Sequence, residues 1–223
     1  MQADGEHPAR VVVLASGGGS NLQALLQDQS GYRIVLVVTD RPDAGARRHA
    51  EEAGVPAVCL PLRAPRDAAA RADWEQRVMA IVAAHTPDLV VMAGWMRVMS
   101  EAFVNHFAGR IINQHPALLP DDDSPTYTLA DGRTVPAIRG AHAVRDALRL
   151  GLPVTGCTIH RVTAAVDVGP ALARTEVPVL PDDDEQTLHE RIKRHEHLLI
   201  VEIVRSLASG KLGRKVLDND CTT

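Results

Sequence analysis

Four short stretches of this chain are almost unbroken runs of aliphatic residues: Val11 to Ala15, Ile34 to Thr39, Leu89 to Ala93, and Ile111-Ile112 after Arg110. A strand with one wet face alternates apolar and polar residues, so unbroken runs call for strands covered on both faces, as in parallel sheets. Between them lie segments with helical spacing. Leu22, Leu25 and Leu26 mark one helix face, Arg47 to Ala53 forms a second helix ending at Gly54, and Trp74, Val78, Ile81, Val82 and His85 stripe a third from about Asp67 to His85. A short strand is expected near Ala57 to Leu60, and Ser100 reads as the N-cap of a short helix carrying Phe103 and Phe107. Repeated βα units with short links imply an α/β fold, a doubly wound and mostly parallel sheet with helices on both faces. Ligands in such sheets bind beyond the carboxyl ends of the strands.

The rhythm breaks after Ala117. Residues 121–139 read as a polar insertion loop, with a small hairpin from Tyr127-Thr128-Leu129 to Arg133-Thr134-Val135 across Asp131-Gly132. Its three aspartates, Asp121 to Asp123, fit a solvated turn better than a metal site, because no second ligand set accompanies them. A helix follows from Ala141 to Leu150, then a strand from Val154 to His160 whose alternation suggests one open side, a turn-rich loop from Thr163 to Pro170, and a strand from Ala171 to Val177. The last helix, from about Glu185 to Ser209, turns Leu188, Ile192, Leu199, Ile203 and Leu207 inward, and residues 211–223 read as a loose tail. With no internal repeat or linker, residues 1–223 are expected to form a single domain.

Three clusters carry polar chemistry. The turn Ser16-Gly17-Gly18-Gly19-Ser20-Asn21 feeds a helix start, which offers N–H groups and a positive dipole end to an anion. It lacks the Gly-Lys-Ser/Thr of a P-loop, and Leu22 stands where a dinucleotide fingerprint has its third glycine, although Asp40 imitates the ribose-binding acid. A tight turn with no ligand is the plainer alternative. Asn113 and His115, two apart on a strand ended by Pro116, point to one side. Taken alone they read as a satisfied strand end; in a crevice shared with the glycine turn and Met96-Arg97, they read as an amide and an imidazole acting on a carbonyl. His189, His195, Glu196 and His197 do not have zinc-protease spacing. A net charge of −4 argues against general nucleic-acid binding. Cys59, Cys157 and Cys221, odd in number and far apart, read as reduced thiols. Met1 to Pro8 has no apolar core and no run approaches a membrane span, so a soluble cytoplasmic protein is expected.

Four motifs in order, Ser16 to Gln23, Ala93-Gly94-Trp95-Met96-Arg97, Asn113-Gln114-His115-Pro116-Ala117-Leu118-Leu119-Pro120 and Asp167-Val168-Gly169-Pro170, resemble those of the phosphoribosylglycinamide formyltransferases. The resemblance runs from about Arg10 to Leu212 and implies formyl transfer from 10-formyltetrahydrofolate, as cosubstrate, to the amino group of glycinamide ribonucleotide in purine biosynthesis. It implies that Asn113, His115 and Asp167 are catalytic, and that Gly19, Ser20 and Asn21 hold the phosphate. Glu196 would receive the substrate amine, with Lys193 nearby. Folate would lie against Arg71, Met96, Arg97, Val98, Met99, Asn113 and the loop Thr163, Ala164, Ala165, Val166 and Asp167. No metal is implied; the partners are small molecules, and the protein a monomer or homodimer. Arg139-Gly140-Ala141-His142 replaces the family's Pro-Gly-x-His, which leaves the contacts of His142 open, and Val168 stands where glycine is frequent. Gln114 points to the opposite face and is expected to cost nothing. Formyltetrahydrofolate deformylase and methionyl-tRNA formyltransferase share the core but carry further domains not seen here. A non-catalytic nucleotide-binding protein would not require Asn113, His115 and Asp167 together.

Overall fold

A computed structural model of the protein describes residues 7–210; the tail expected from Lys211 lies outside them. The first half alternates as expected: β1 (Ala9–Leu14), α1 (Ser20–Gln27), β2 (Tyr32–Thr39), α2 (Gly45–Glu52), β3 (Ala57–Cys59), α3 (Ala68–Ala84), β4 (Leu89–Met92), α4 (Glu101–His106) and β5 (Ile111–His115). Then come β6 (Thr126–Thr128), β7 (Thr134–Pro136), α5 (Ala143–Arg149), β8 (Val154–Arg161), β9 (Ala171–Pro178) and α6 (Glu185–Ala208). The main sheet has the order β3-β2-β1-β4-β5-β8-β9, with β6 and β7 forming a separate hairpin. Pairing is parallel from β3 through β5, and only β8 runs against its neighbours.

The unbroken apolar runs are explained by cover on both sides. Val11, Val13 and Val91 face the layer containing α1, α2, α5 and α6, while Val12, Leu14, Val90 and Met92 face α3 and α4. Caps set the helix starts: the Asp67 carboxylate accepts from Ala69 N and Ala70 N, and Ser100 Oγ accepts from Phe103 N. The chain steps outward from β1 to β3 and then crosses back to β4. The carboxyl ends of β1 and β4 therefore flank the switch point, where a crevice opens.

Two expectations change. β8 is buried on both faces rather than open on one, because its polar residues have partners: Thr158 donates to Ala117 O and accepts from Leu119 N. The 121–139 segment holds the expected hairpin, but it is not wholly solvated. Leu129 and Val135 pack on Leu118, and Ile138 packs on Ala117 and Ala143. Three well-spaced apolar side chains in a polar stretch give no periodic signal, yet they suffice to seat it on the sheet.

Candidate active site

The cleft, about 500 Å³, opens at the switch point. Gly17, Gly18, Gly19 and Ser20 line it, as does Lys193 of α6. Gly19 has φ 80, and a Cβ there would lie 2.6 Å from Ala46 Cα of α2, so both conformation and space demand glycine. α1 starts without a side-chain cap, which leaves its first-turn N–H groups for an anion. Asn21, grouped with the phosphate by resemblance, sends its side chain elsewhere: Nδ2 donates to Glu196 Oε2 (3.1 Å) and Gln114 Oε1 (3.2 Å). Glu196 is buried, and burial pushes its carboxyl up to about 7 against the opposing pull of Asn21 and Lys193. Gln114 Nε2 also donates to Glu196 Oε1. The reading that Gln114 costs nothing is corrected: it does point to the opposite face, but it is engaged there.

Asn113 and His115 share the other face of β5. Asn113 Nδ2 donates to His160 Nε2 (3.1 Å) and, at a longer 3.4 Å, to Asp167 Oδ1. His160, which sequence reasoning missed, pairs opposite Asn113 in the β5–β8 ladder; its Nδ1 donates to Arg161 O, so Nε2 is free to accept. His115 Nε2 lies 2.8 Å from Ile138 O, and a carbonyl only accepts, so Nε2 carries the proton. Its Nδ1 faces Asp167 Oδ2 at 3.4 Å. Asp167 sits in the left-handed region (φ 54), which aspartate tolerates better than most side chains. Its Oδ2 accepts from Gly140 N (2.9 Å), and Arg139 Nε donates to its backbone oxygen.

The electrostatics separate the pair. Burial raises the Asp167 carboxyl, but the polar contacts around it, the Gly140 N–H among them, hold it at about 2. At His115 burial dominates: the pKa is lowered although Asp167 raises it. Asp167 thus lifts the ring's pKa through that one contact, and burial outweighs it in the sum. Burial therefore favours the neutral ring, while the carboxylate facing Nδ1 favours the charged one.

The far end of the cleft is apolar. Met96, Val98 and Val166 are 54%, 52% and 46% exposed there, unusually open for such side chains. The loop that carries the first two is fastened from beneath: Met96 N donates to Ser16 Oγ, Trp95 stacks on Trp74, and Trp95 Nε1 donates to Met99 Sδ. Arg97 lines the cleft and pairs with buried Asp40 at 2.6 Å, which commits that acid to an ion pair rather than to a ribose. Arg71 does not line the cleft; its guanidinium donates to Val98 O and holds the loop from behind. Thr163, Ala164, Ala165 and His142 do line it.

A fixed carboxylate, an imidazole and an amide beside an anion cradle and a buried carboxyl suit acyl transfer to an amine. The chain belongs to the formyl transferase family, whose model matches residues 9–204. Within that family it is similar to the phosphoribosylglycinamide formyltransferase of Mycobacterium tuberculosis, 44% identical over 94% of each protein. It is 32% identical to the Escherichia coli protein of that name, over 91% of this chain and 88% of that one. Among solved structures, glycinamide ribonucleotide transformylase 1 of Symbiobacterium toebii superposes with a TM-score of 0.80 at 35% identity, covering 94% of this chain and 92% of that one.

Proposed function

We propose that this chain transfers the formyl group of 10-formyltetrahydrofolate to the amino group of glycinamide ribonucleotide, a step of purine biosynthesis. The observation that carries the reading is the meeting of Asn113, His115 and Asp167 within hydrogen-bonding reach, in one cleft with Glu196 and the glycine turn. The apolar Met96, Val98 and Val166 suit a flat heteroaromatic group, and the glycine turn with Lys193 suits the ribonucleotide phosphate. The folate supplies an electrophilic formyl carbon on a nitrogen that departs.

The protein's residues do the rest. Glu196 accepts a hydrogen bond from the attacking amine. As charge grows on the formyl oxygen, Asn113 swings its weaker amide bond, the 3.4 Å contact to Asp167, toward that oxygen. The bond to His160 keeps the amide plane in place. In its neutral form, which burial favours, His115 takes the proton that the amine releases and passes it to the departing nitrogen, with no net proton consumed. Asp167 stabilises the transient imidazolium.

Turnover of 10-formyltetrahydrofolate with and without glycinamide ribonucleotide tests the reading. Formylated ribonucleotide should appear in step with folate consumed, with little turnover in its absence. Equal consumption without ribonucleotide, with formate released, would make water the acceptor and overturn it.

A further inference from the structure

We infer that Gln114 is a positioning residue for the acceptor half of the reaction: with Asn21 it fixes the Glu196 carboxylate toward the ribonucleotide amine. The inference rests on the amine acceptor proposed above.

Alternation along β5 places Gln114 on the face opposite Asn113 and His115, toward α1 and α6. One strand end therefore serves both halves of the site, with formyl chemistry on one side and amine binding on the other. Gln114 closes a three-residue network. Its Nε2 donates to Glu196 Oε1, its Oε1 accepts from Asn21 Nδ2, and Asn21 Nδ2 also reaches Glu196 Oε2. Each carboxylate oxygen thus holds one amide donor, which stops rotation of the group and leaves its remaining lone pairs for the cleft. All three residues are buried and line the cleft, so the network is sheltered from competing water.

A second observation marks where a ligand completes it. Asn21 Oδ1 is buried and has no hydrogen-bond partner among the described residues. An unpaired buried acceptor is costly, and a substrate N–H or O–H would satisfy it. An aliphatic residue at 114 would fill the same space. It would leave Glu196 with one donor fewer and Asn21 free to turn.

Two variants test this. Gln114→Met keeps an unbranched side chain and removes the amide. The KM for the ribonucleotide should rise about 10- to 100-fold, as for losing a hydrogen bond to a charged group. The KM for the formyl donor should stay within about twofold. In ligand-free protein, the carbon-13 titration of the Glu196 carboxyl, assigned through Glu196→Gln, should move to higher pH, because one donor to the ionised form is gone. Gln114→Glu keeps the shape and reverses the donor. Below neutral pH a shared proton restores one bond, so its kcat/KM relative to wild type should fall as pH rises, which a packing role would not produce. A folded Gln114→Met with unmoved Glu196 titration, or with both KM values raised equally, would overturn the inference. Wild-type protein that forms no formylated ribonucleotide would instead remove the functional reading, and the Glu196 titration would still judge Gln114.

Discussion

Asp167 touches more of the site than any other single side chain, reaching His115, Asn113 and Gly140 N. Asp167→Asn keeps its shape and removes its charge. The His115 pKa should fall below its already lowered value, and an imidazole that cannot hold the proton in transit loses its catalytic use. We expect kcat to drop by about 10² to 10⁴ with both KM values nearly unchanged, followed alongside the NMR titration of His115. Full activity with an unshifted ring would exclude Asp167. Glu196 gives a different test. Its carboxyl titrates near 7 in the folded protein against 4.5 as its ordinary value. A folded pKa above the unfolded one means that the stabilising contribution is complete below about pH 4.5 and is lost as pH rises through 7. Apart from a pH-independent cost of setting its NH2 against one of the two amide donors, Glu196→Gln should gain up to about 3 kcal/mol relative to wild type between pH 4.5 and pH 8, seen in thermal unfolding at both pH values. The sequence carried Asn113 and His115 through their spacing, and Asp167 through the family motif. Gln114 and His160 were illegible, because their roles depend on which face and which neighbouring strand they meet.

The elements divide in the same way. Strands covered on both faces announce themselves as unbroken apolar runs, and β1, β2 and β4 lie within a residue or two of where those runs predict. β8 misled because its buried Thr158 and His160 look like wet positions until their partners are known. The 121–139 segment misled for the opposite reason, since few of its residues are apolar. It reaches the proposed catalytic residues at two points, Ile138 O on His115 and Arg139 on Asp167 O, and Arg139 also ties back to Asp122 O and Ser124 O. A variant joining Pro120 to Gly140 through a short glycine linker removes the β6–β7 hairpin but no strand of the main sheet. Burial of Leu129, Val135 and Ile138, at about 1.5–3 kcal/mol each, is offset by the entropy of ordering the segment. We expect a single cooperative unfolding transition and a kcat at least tenfold lower, as His115 and Asp167 lose two fixed partners. Undiminished kcat would make the segment a passenger; loss of folding would make it part of the core.

Across the whole molecule, the end of the cleft proposed for the ribonucleotide joins an early element, α1, to the last one, α6, which pack together on one face of the sheet. The end proposed for the formyl donor is built instead from the loops after β4 and β8. Ligands at the two ends should therefore stabilise the fold independently. Each at 100 times its Kd adds about 2.7 kcal/mol, or roughly 5–10 °C in Tm for a domain of this size. The glycine turn allows the two to be separated. Gly19 is a poor probe, because any side chain there strains a positive φ and strikes α2, so lost binding and lost stability would arrive together. Gly18 lines the cleft, and a Cβ there would meet nothing within 4 Å. Gly18→Ala should leave the ligand-free Tm unchanged while its methyl holds a phosphate away from the backbone N–H groups. The Tm rise with glycinamide ribonucleotide should then shrink by more than half, and the rise with a non-reactive folate analogue should persist. Calorimetry of wild type and variant with each ligand makes the comparison. Equal losses in both rises would mean that the glycine turn does not define a separate phosphate end, and an intact ribonucleotide rise would move the phosphate away from Gly18.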